Sequence, residues 1–365
     1  PRVSFRSFEA LFRSPGIHKR LKVDRLLQAL PGIKSEGIRA GFSYYDASMW
    51  DDVLVLENMR SAHRLGVASA NYLKGTRALW ENGRVVGMEC EDQETFEKIN
   101  VRSKAVIFCG GPWTDLLGER VTEGSHAAWK PWLKPSRGVH LVFRREDFPV
   151  EGALLMTHPE DGRISFVMPR NDLGAGVTIV GTTDGPSPRD PAQVRAESDD
   201  RAYLLDLLKR YFPKTAPTAA QIMSEYVGVR PLVGLGDEAG ESLSQVSREH
   251  HIDRGPGGSV WIAGGKYTTH RAMAEEIVDF AVRAWEEDYA NDQAARVPPY
   301  RMSRTLGGFE ATPIKRDADH ELHRYGGDEP ELFKLQNQFA DLQALPDPEG
   351  FPKLSGQLAY ALKYE

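Results

Sequence analysis

The segment Ser259-Val260-Trp261-Ile262-Ala263-Gly264-Gly265-Lys266-Tyr267-Thr268-Thr269-His270-Arg271 decides how the chain is read. Its first five residues form a short apolar run of the kind that makes a buried strand. Two glycines follow. Beyond them Met273, Ile277, Phe280 and Ala284 recur in helical register and predict a helix over about Thr269 to Trp285. Glycines let a backbone come close to a ligand, and a helix N-terminus offers free N–H groups that suit an anion. Lys266 adds a full positive charge at the same spot. Taken alone, the segment reads more readily as a plain strand-to-helix turn. It is not a Walker-type phosphate loop, because Lys266 is followed by Tyr267.

Working outward, Ala105-Val106-Ile107-Phe108-Cys109 is a second apolar run that ends in glycines, Gly110-Gly111-Pro112. It predicts a strand of the parallel kind, buried on both faces. A helix is expected over 51–66, with Asp51 or Asp52 as N-cap. Asn82-Gly83 is a hairpin signal between Thr76–Glu81 and Arg84–Glu91. From 138 to 184 strands are expected at His140–Phe143, Ala153–Met156, Ile164–Met168 and Val177–Val180. A helix over Ser198–Tyr211 is predicted to turn Leu204, Leu207, Leu208 and Tyr211 inward. Residues 287–316 read as a polar linker and 317–365 as helical, with proline-rich breaks.

A chain of 365 residues exceeds the usual ceiling of about 250–300 for one domain. Apolar residues make up 41% and charged residues 27%, which excludes a disordered chain and a membrane-spanning bundle. The net charge of −6 excludes a general nucleic-acid binder. Two cysteines, Cys90 and Cys109, cannot make a disulfide framework, so a reducing compartment is expected. The chain opens on Pro1 and stops inside a predicted helix, so a fragment is expected.

Single residues stay ambiguous at this level. His140 opens a strand after Arg137-Gly138 and can act as a general base, although a lone strand histidine is more often structural. Arg230, in Gly228-Val229-Arg230-Pro231, reads as an arginine fixed in a turn, suited to bidentate anion binding. Its bland alternative is a surface salt bridge, and Arg248 shares the ambiguity. No H-E-x-x-H, G-x-S-x-G or G-x-G-x-x-G signature is present.

Taken in order, the motifs resemble one family. Tyr44-Tyr45-Asp46-Ala47 with Asp51-Asp52-Val53-Leu54 comes first, then Gly111-Pro112-Trp113. Lys134-Pro135-Ser136-Arg137-Gly138-Val139-His140 and Gly181-Thr182-Thr183-Asp184 follow. Gly228-Val229-Arg230-Pro231-Leu232, Ser247-Arg248-Glu249-His250 and Gly264-Gly265-Lys266-Tyr267-Thr268-Thr269-His270-Arg271 complete the series. The set is similar to FAD-dependent, quinone-linked glycerol-3-phosphate dehydrogenases, densely over about 40–285. The family's opening strand–G-x-G-x-x-G–helix unit, which holds the FAD pyrophosphate, has no counterpart here.

The resemblance implies a fold of α/β plus α+β type, like glutathione reductase and the amino-acid oxidases. It would have an antiparallel-sheet substrate region and a C-terminal helical domain. Expected divisions are 1–50 as an N-terminal segment, 51–115 with 255–286 as the FAD-binding region, 116–254 as the substrate region and 300–365 as the helical domain. The implied reaction oxidises glycerol 3-phosphate to dihydroxyacetone phosphate, with FAD as cofactor and a quinone or other electron acceptor. His140, Arg230 and Lys266 would be catalytic, and Arg230, Arg248 and His140 would bind substrate. Gly110, Gly111, Trp113, Gly264, Gly265, Lys266, Thr268 and Thr269 would meet the cofactor, and no metal is expected.

Two alternatives stay open: a related flavin oxidase acting on an amino acid or 2-hydroxy acid, and a non-catalytic fragment unable to hold FAD. Without the fingerprint glycines the chain alone is expected to bind FAD poorly. The partners expected are substrate, acceptor, no nucleic acid and, as one option, a second copy in a homodimer. Residues 2–22 carry Arg2, Arg6, Arg13, Lys19, Arg20 and Lys22 against one acid, with Phe5, Phe8, Leu11 and Phe12 along one helical face. That pattern fits a helix lying on the inner face of the cell membrane of a cytoplasmic protein, or one packed on the protein's own core.

Overall fold

The computed structural model describes residues 19–44, 49–171, 173–234, 249–292, 296–298 and 329–338. In chain order these form β1 (Lys19–Leu21), α1 (Val23–Ala29), β2 (Gly41–Ser43), α2 (Asp51–Arg64), β3 (Leu73–Glu81), β4 (Arg84–Asp92), β5 (Lys98–Arg102) and β6 (Ile107–Phe108). Next come α3 (Thr114–Thr122), β7 (Ser136–Arg144), β8 (Leu154–Thr157), β9 (Ile164–Arg170), β10 (Val177–Gly181), β11 (Gly185–Pro186) and α4 (Ser198–Tyr211). The last are β12 (Ile222–Arg230), β13 (His250–Arg254), β14 (Val260–Gly264), α5 (His270–Asp288) and α6 (Glu329–Gln338).

The largest sheet is antiparallel and centred on β7. Along one edge β7 pairs with β10 and then β11; along the other it pairs with β12, while β9 and β8 continue beyond β10. Successive strand residues point to opposite faces, so Val139, Leu141 and Phe143 all turn one way and are fully buried. They pack on Leu204, Leu207 and Leu208 of α4, which recur at helical spacing, and on Phe148 and Phe212. Burying each such leucine contributes about 1.5–3 kcal/mol. The other face of β7 carries Ser136, Gly138 and His140, of which the first two are buried and His140 keeps partial exposure.

A second core joins the β3–β4 hairpin, α3 and the β6–β14 pair through Ala78, Val85, Phe108, Val121, Trp132 and Trp261. Asn82 and Gly83 both take left-handed backbone conformations, which a two-residue hairpin turn of this kind requires. β14 pairs in parallel with β6, and α5 covers β14 through Ile277, Ala281 and Ala284.

One expected strand needs correction. The strand expected over Ala105–Cys109 is only Ile107–Phe108, and Ile107 is 39% exposed, so it is not buried on both faces. At the end of the basic segment Lys19–Leu21 is a strand paired with Gly41–Ser43, and residues 2–18, where the amphipathic helix is expected, lie outside the described residues. β13 pairs antiparallel with β14. Of the expected C-terminal helical region, only α6 lies within the described residues. No helix among the described residues is long and apolar enough to cross a membrane.

Candidate functional site

The face of the large sheet turned away from the α4 core brings three separated motifs together. Cross-strand register sets Tyr226 of β12 and Gly181 of β10 directly beside His140, and Arg230 directly beside Ser136. The His140 and Tyr226 rings stack with centroids 4.6 Å apart and planes 8° from parallel. A Cβ on Gly181 would collide with the His140 ring, so glycine there is what lets the imidazole lie across the strand. Nδ1 of His140 is buried without a hydrogen-bond partner among the described residues. Burial first, and the positive charge of Arg230 second, push the His140 pKa down to about 4. His140 is therefore a neutral imidazole at physiological pH.

Arg230 is the last residue of β12 rather than part of a turn; Pro231, which lacks a ladder donor, ends the strand behind it. Its guanidinium lies across Gly138, where a Cβ would collide with it. Nη2 donates to Thr182 Oγ1 at 2.9 Å and to the Thr183 carbonyl at 3.2 Å, and Nη1 donates to the Arg137 carbonyl at 3.3 Å. Asp184 Oδ1 lies 3.5 Å from Nη1 and also accepts from the Ser136 hydroxyl. The planar cation is thus fixed by four neighbours while keeping part of its side chain open to solvent.

Arg137 points to the opposite face, as strand alternation requires, and is buried. It bonds Asp200 at 3.1 Å, Glu197 at 2.6 Å and the Pro186 carbonyl at 3.1 Å. Glu197 and Asp200 also form a capping box at the start of α4, so one cluster both caps the helix and seats Arg137. Burial opposes its charge, but the hydrogen bonds it donates to Glu197 and Asp200 and their negative charges outweigh that and raise the Arg137 pKa. Arg137, Ser136, Thr182, Thr183, Asp184 and Tyr226 were not singled out as site residues by sequence reasoning. The one signal for the first five was their membership of two of the motif segments, Lys134–His140 and Gly181–Asp184.

The glycine pairs form the other half. Because β6 and β14 run parallel, Gly110-Gly111 and Gly264-Gly265 follow their carboxyl ends side by side, where open α/β sheets take ligands. Gly264 and Gly265 have φ of 77° and 82°, and a Cβ on either would meet neighbouring atoms too closely for a side chain. Among the described residues neither α3 nor α5 has a side-chain cap; a single 3-10 turn leads into each, so the Thr114 and His270 N–H groups donate to the Gly111 and Tyr267 carbonyls. Trp113, Lys266, Thr268 and Thr269 are exposed around this opening, and Thr269 Oγ1 donates to the Lys266 carbonyl at 2.9 Å.

The two halves meet at the start of α2. Tyr267 Oη donates to the Asp51 carbonyl at 3.0 Å. Burial, and then the Asp51 charge, raise the pKa of both Tyr226 and Tyr267, so Asp51 stands near a tyrosine of each half. Arg248 lies outside the described residues, as do Tyr45, Asp46 and Ala47. No cluster of potential metal ligands occurs among the described residues. A surface groove between α3 and residues 188–193 lies away from all of these groups.

The family model described as DAO, FAD dependent oxidoreductase, matches residues 2–305. The aerobic glycerol-3-phosphate dehydrogenase of Bacillus subtilis (strain 168) is 31% identical over 330 residues, covering 86% of this chain and 57% of that protein. The protein of the same name from Staphylococcus aureus (strain USA300) is 33% identical over 272 residues, 74% of this chain and 47% of its own length. The chain spans about half the length of these curated relatives. The solved glycerol-3-phosphate dehydrogenase from Bacillus halodurans, complexed with FAD, has a TM-score of 0.71 at 26% identity, covering 96% of this chain and 70% of that one.

Proposed function

This chain belongs to the FAD dependent oxidoreductase family, and from that premise we propose that it carries the substrate face and one flank of the cofactor site of a glycerol-3-phosphate dehydrogenase. The observation that carries the reading is the pairing of Arg230 with a neutral His140 on one sheet face. The names of the similar proteins agree with it. The division into a cofactor region, 51–115 with about 250–286, and a substrate region between them is part of the same reading.

The chain's residues fit FAD along one flank. Gly264 and Gly265, where side chains do not fit, and the positive ends of α3 and α5 suit a planar, anionic group, with Trp113, Thr268 and Thr269 at the rim. Lys266 and the α5 N-terminus would stabilise negative charge there. When bound, FAD supplies the acceptor for the hydride that leaves C2 of the substrate.

The chain's own groups do the rest. Arg230, with Arg248, would hold the phosphate dianion or the developing alkoxide by charge-assisted hydrogen bonds. His140 is unprotonated and so competent to take the proton of the C2 hydroxyl at Nε2. An imidazolium beside Arg230 is disfavoured, and an alkoxide between the two cations offsets that repulsion. Tyr226, stacked on the ring, fixes its plane and screens it from water. In this reading electrons pass on to a quinone, and residues 2–22 touch the membrane surface.

The test uses the full-length protein. A flavin absorbance band bleached anaerobically by glycerol 3-phosphate, and not by glycine or lactate, is the expected result. Bleaching by glycine or lactate instead would favour an amino-acid or 2-hydroxy-acid oxidase. Absence of any flavin band would leave the non-catalytic reading.

A further inference from the structure

The loop that holds Arg230 is itself held by a residue from another part of the sheet. Strands β9 and β10 pair through Gly181, which lies opposite Phe166; beyond that point the chain leaves the ladder at Thr182. The ladder's missing bonds are supplied by side chains. Arg163, just before β9, donates from Nη1 to the Asp184 carbonyl at 2.7 Å. Ser165, two residues on, donates to the Thr182 carbonyl at 3.3 Å and is fully buried. These carbonyls flank the atoms that grip Arg230, namely Thr182 Oγ1, the Thr183 carbonyl and Asp184 Oδ1.

Arg163 is not a loose surface arginine. Its Nε stands 3.5 Å from Asp161 Oδ2. Asp161 in turn accepts from Tyr203 Oη of α4 at 3.1 and 3.2 Å. Burial and that bond to Asp161 push the Tyr203 pKa up to about 12, so its hydroxyl keeps its proton and stays a donor at any working pH. Tyr203 also stacks on the buried His158 at 4.4 Å, which anchors the β8–β9 hairpin against α4. Hydrogen bonds and the 3.5 Å Arg163–Asp161 ion pair therefore connect α4 through Asp161 and Arg163 to the loop around Arg230.

We propose that Arg163 is a positioning residue for Arg230, setting the affinity of the site for an anionic substrate from outside it through the Asp184 carbonyl. The inference rests on the reading of Arg230 as the substrate's anion contact. Arg163 itself touches no substrate in this account. Loss of its bond frees the 182–184 loop, and Arg230 then samples more positions, which weakens binding before it slows chemistry.

The test is a double-mutant cycle in the full-length, FAD-loaded enzyme, using Arg163→Met, Arg163→Lys, Arg230→Ala and the Arg163→Met/Arg230→Ala pair. Steady-state kinetics with glycerol 3-phosphate are read beside calorimetric affinity for dihydroxyacetone phosphate. Arg163→Met is expected to raise KM and the product's Kd on the order of tenfold, within the range for groups sharing one hydrogen-bond network. The value of kcat should stay within about twofold. Arg163→Lys, which keeps a donor, should recover most of the loss. In the Arg230→Ala background Arg163→Met should change neither constant further.

A merely structural arginine would give the same loss in both backgrounds and overturn the inference. So would an unchanged KM in Arg163→Met while Arg230→Ala raises it. If Arg230→Ala itself leaves KM and Kd unchanged, the reading of the site fails first and separately.

Discussion

His140 should make the fold acid-sensitive in a window where few other groups titrate. Its ring sits against Tyr226 and Gly181, with Nδ1 unpartnered among the described residues and the Arg230 cation close by, and its pKa falls from 6.5 to about 4. The unfolded chain therefore binds a proton at this residue between pH 6.5 and about 4, where the folded chain does not. Stability contributed by the neutral form is complete above pH 6.5 and is lost as pH falls toward 4. At about 1.4 kcal/mol per pKa unit the full loss is about 3 kcal/mol, with about 2 kcal/mol gone by pH 5. Partial access of solvent to the ring lowers both figures somewhat.

The perturbation is His140→Phe, which keeps a ring on Tyr226 but cannot titrate. The assay is urea unfolding followed by tryptophan fluorescence at pH 7, 6 and 5, with stabilities compared at constant m. Wild type should lose about 2 kcal/mol more than the variant between pH 7 and 5. Carboxylates such as Asp288 and Glu225, whose pKa values are held low by arginine partners, contribute equally to both proteins and cancel. Parallel losses in the two proteins would refute the account of His140 as a buried, neutral group.

Four further outcomes are expected. Arg230→Ala should cost on the order of 2–4 kcal/mol in kcat/KM for glycerol 3-phosphate, measured in the full-length enzyme with its melting temperature checked beside it. His140→Ala should slow flavin reduction about 10²–10⁴-fold in single-turnover bleaching while substrate affinity stays near wild type. Leu207→Ala, at a fully buried α4 position against β7, should lower unfolding free energy by about 2–5 kcal/mol. Full-length protein should sediment with anionic vesicles at low salt and stay in the supernatant at high salt, as six basic residues within 2–22 imply; no sedimentation at low salt removes that contact.

Elements with strong local signals were legible in the sequence. The helix Ser198–Tyr211 matched residue for residue, because Leu204, Leu207 and Leu208 repeat at helical spacing against a polar remainder. The Asn82-Gly83 turn was legible because so few residue pairs tolerate two left-handed conformations in succession. The strand at Ile107–Phe108 was overdrawn because apolar composition does not say how many residues find a partner. Arg230 read as a turn residue because Pro231 signals a break. The break falls one residue later, and the strand carries Arg230 into register with Ser136. The ion pair of Arg137 with Asp200 joins residues 63 apart, and no local pattern announces it. The same holds for Arg163, whose role depends on where β9 and β10 part.

Why two glycines flank the candidate site follows from the same geometry. A strand interior ordinarily disfavours glycine, which loses backbone entropy and packs nothing. Gly138 lies in β7 and Gly181 ends β10, and in each case a Cβ would occupy the volume of a polar side chain: Arg230 at Gly138, His140 at Gly181. Side chains on a sheet stand roughly perpendicular to it. Here a guanidinium and an imidazole instead lie flat across neighbouring strands, and that is feasible only over residues without side chains. Lying flat brings the cation and the ring within electrostatic reach, which is the second cause of the low His140 pKa. The glycines thus act on chemistry through packing. They set how close a fixed positive charge sits to the group proposed to take the proton, and so how weak a base that group is in the absence of an anion between them.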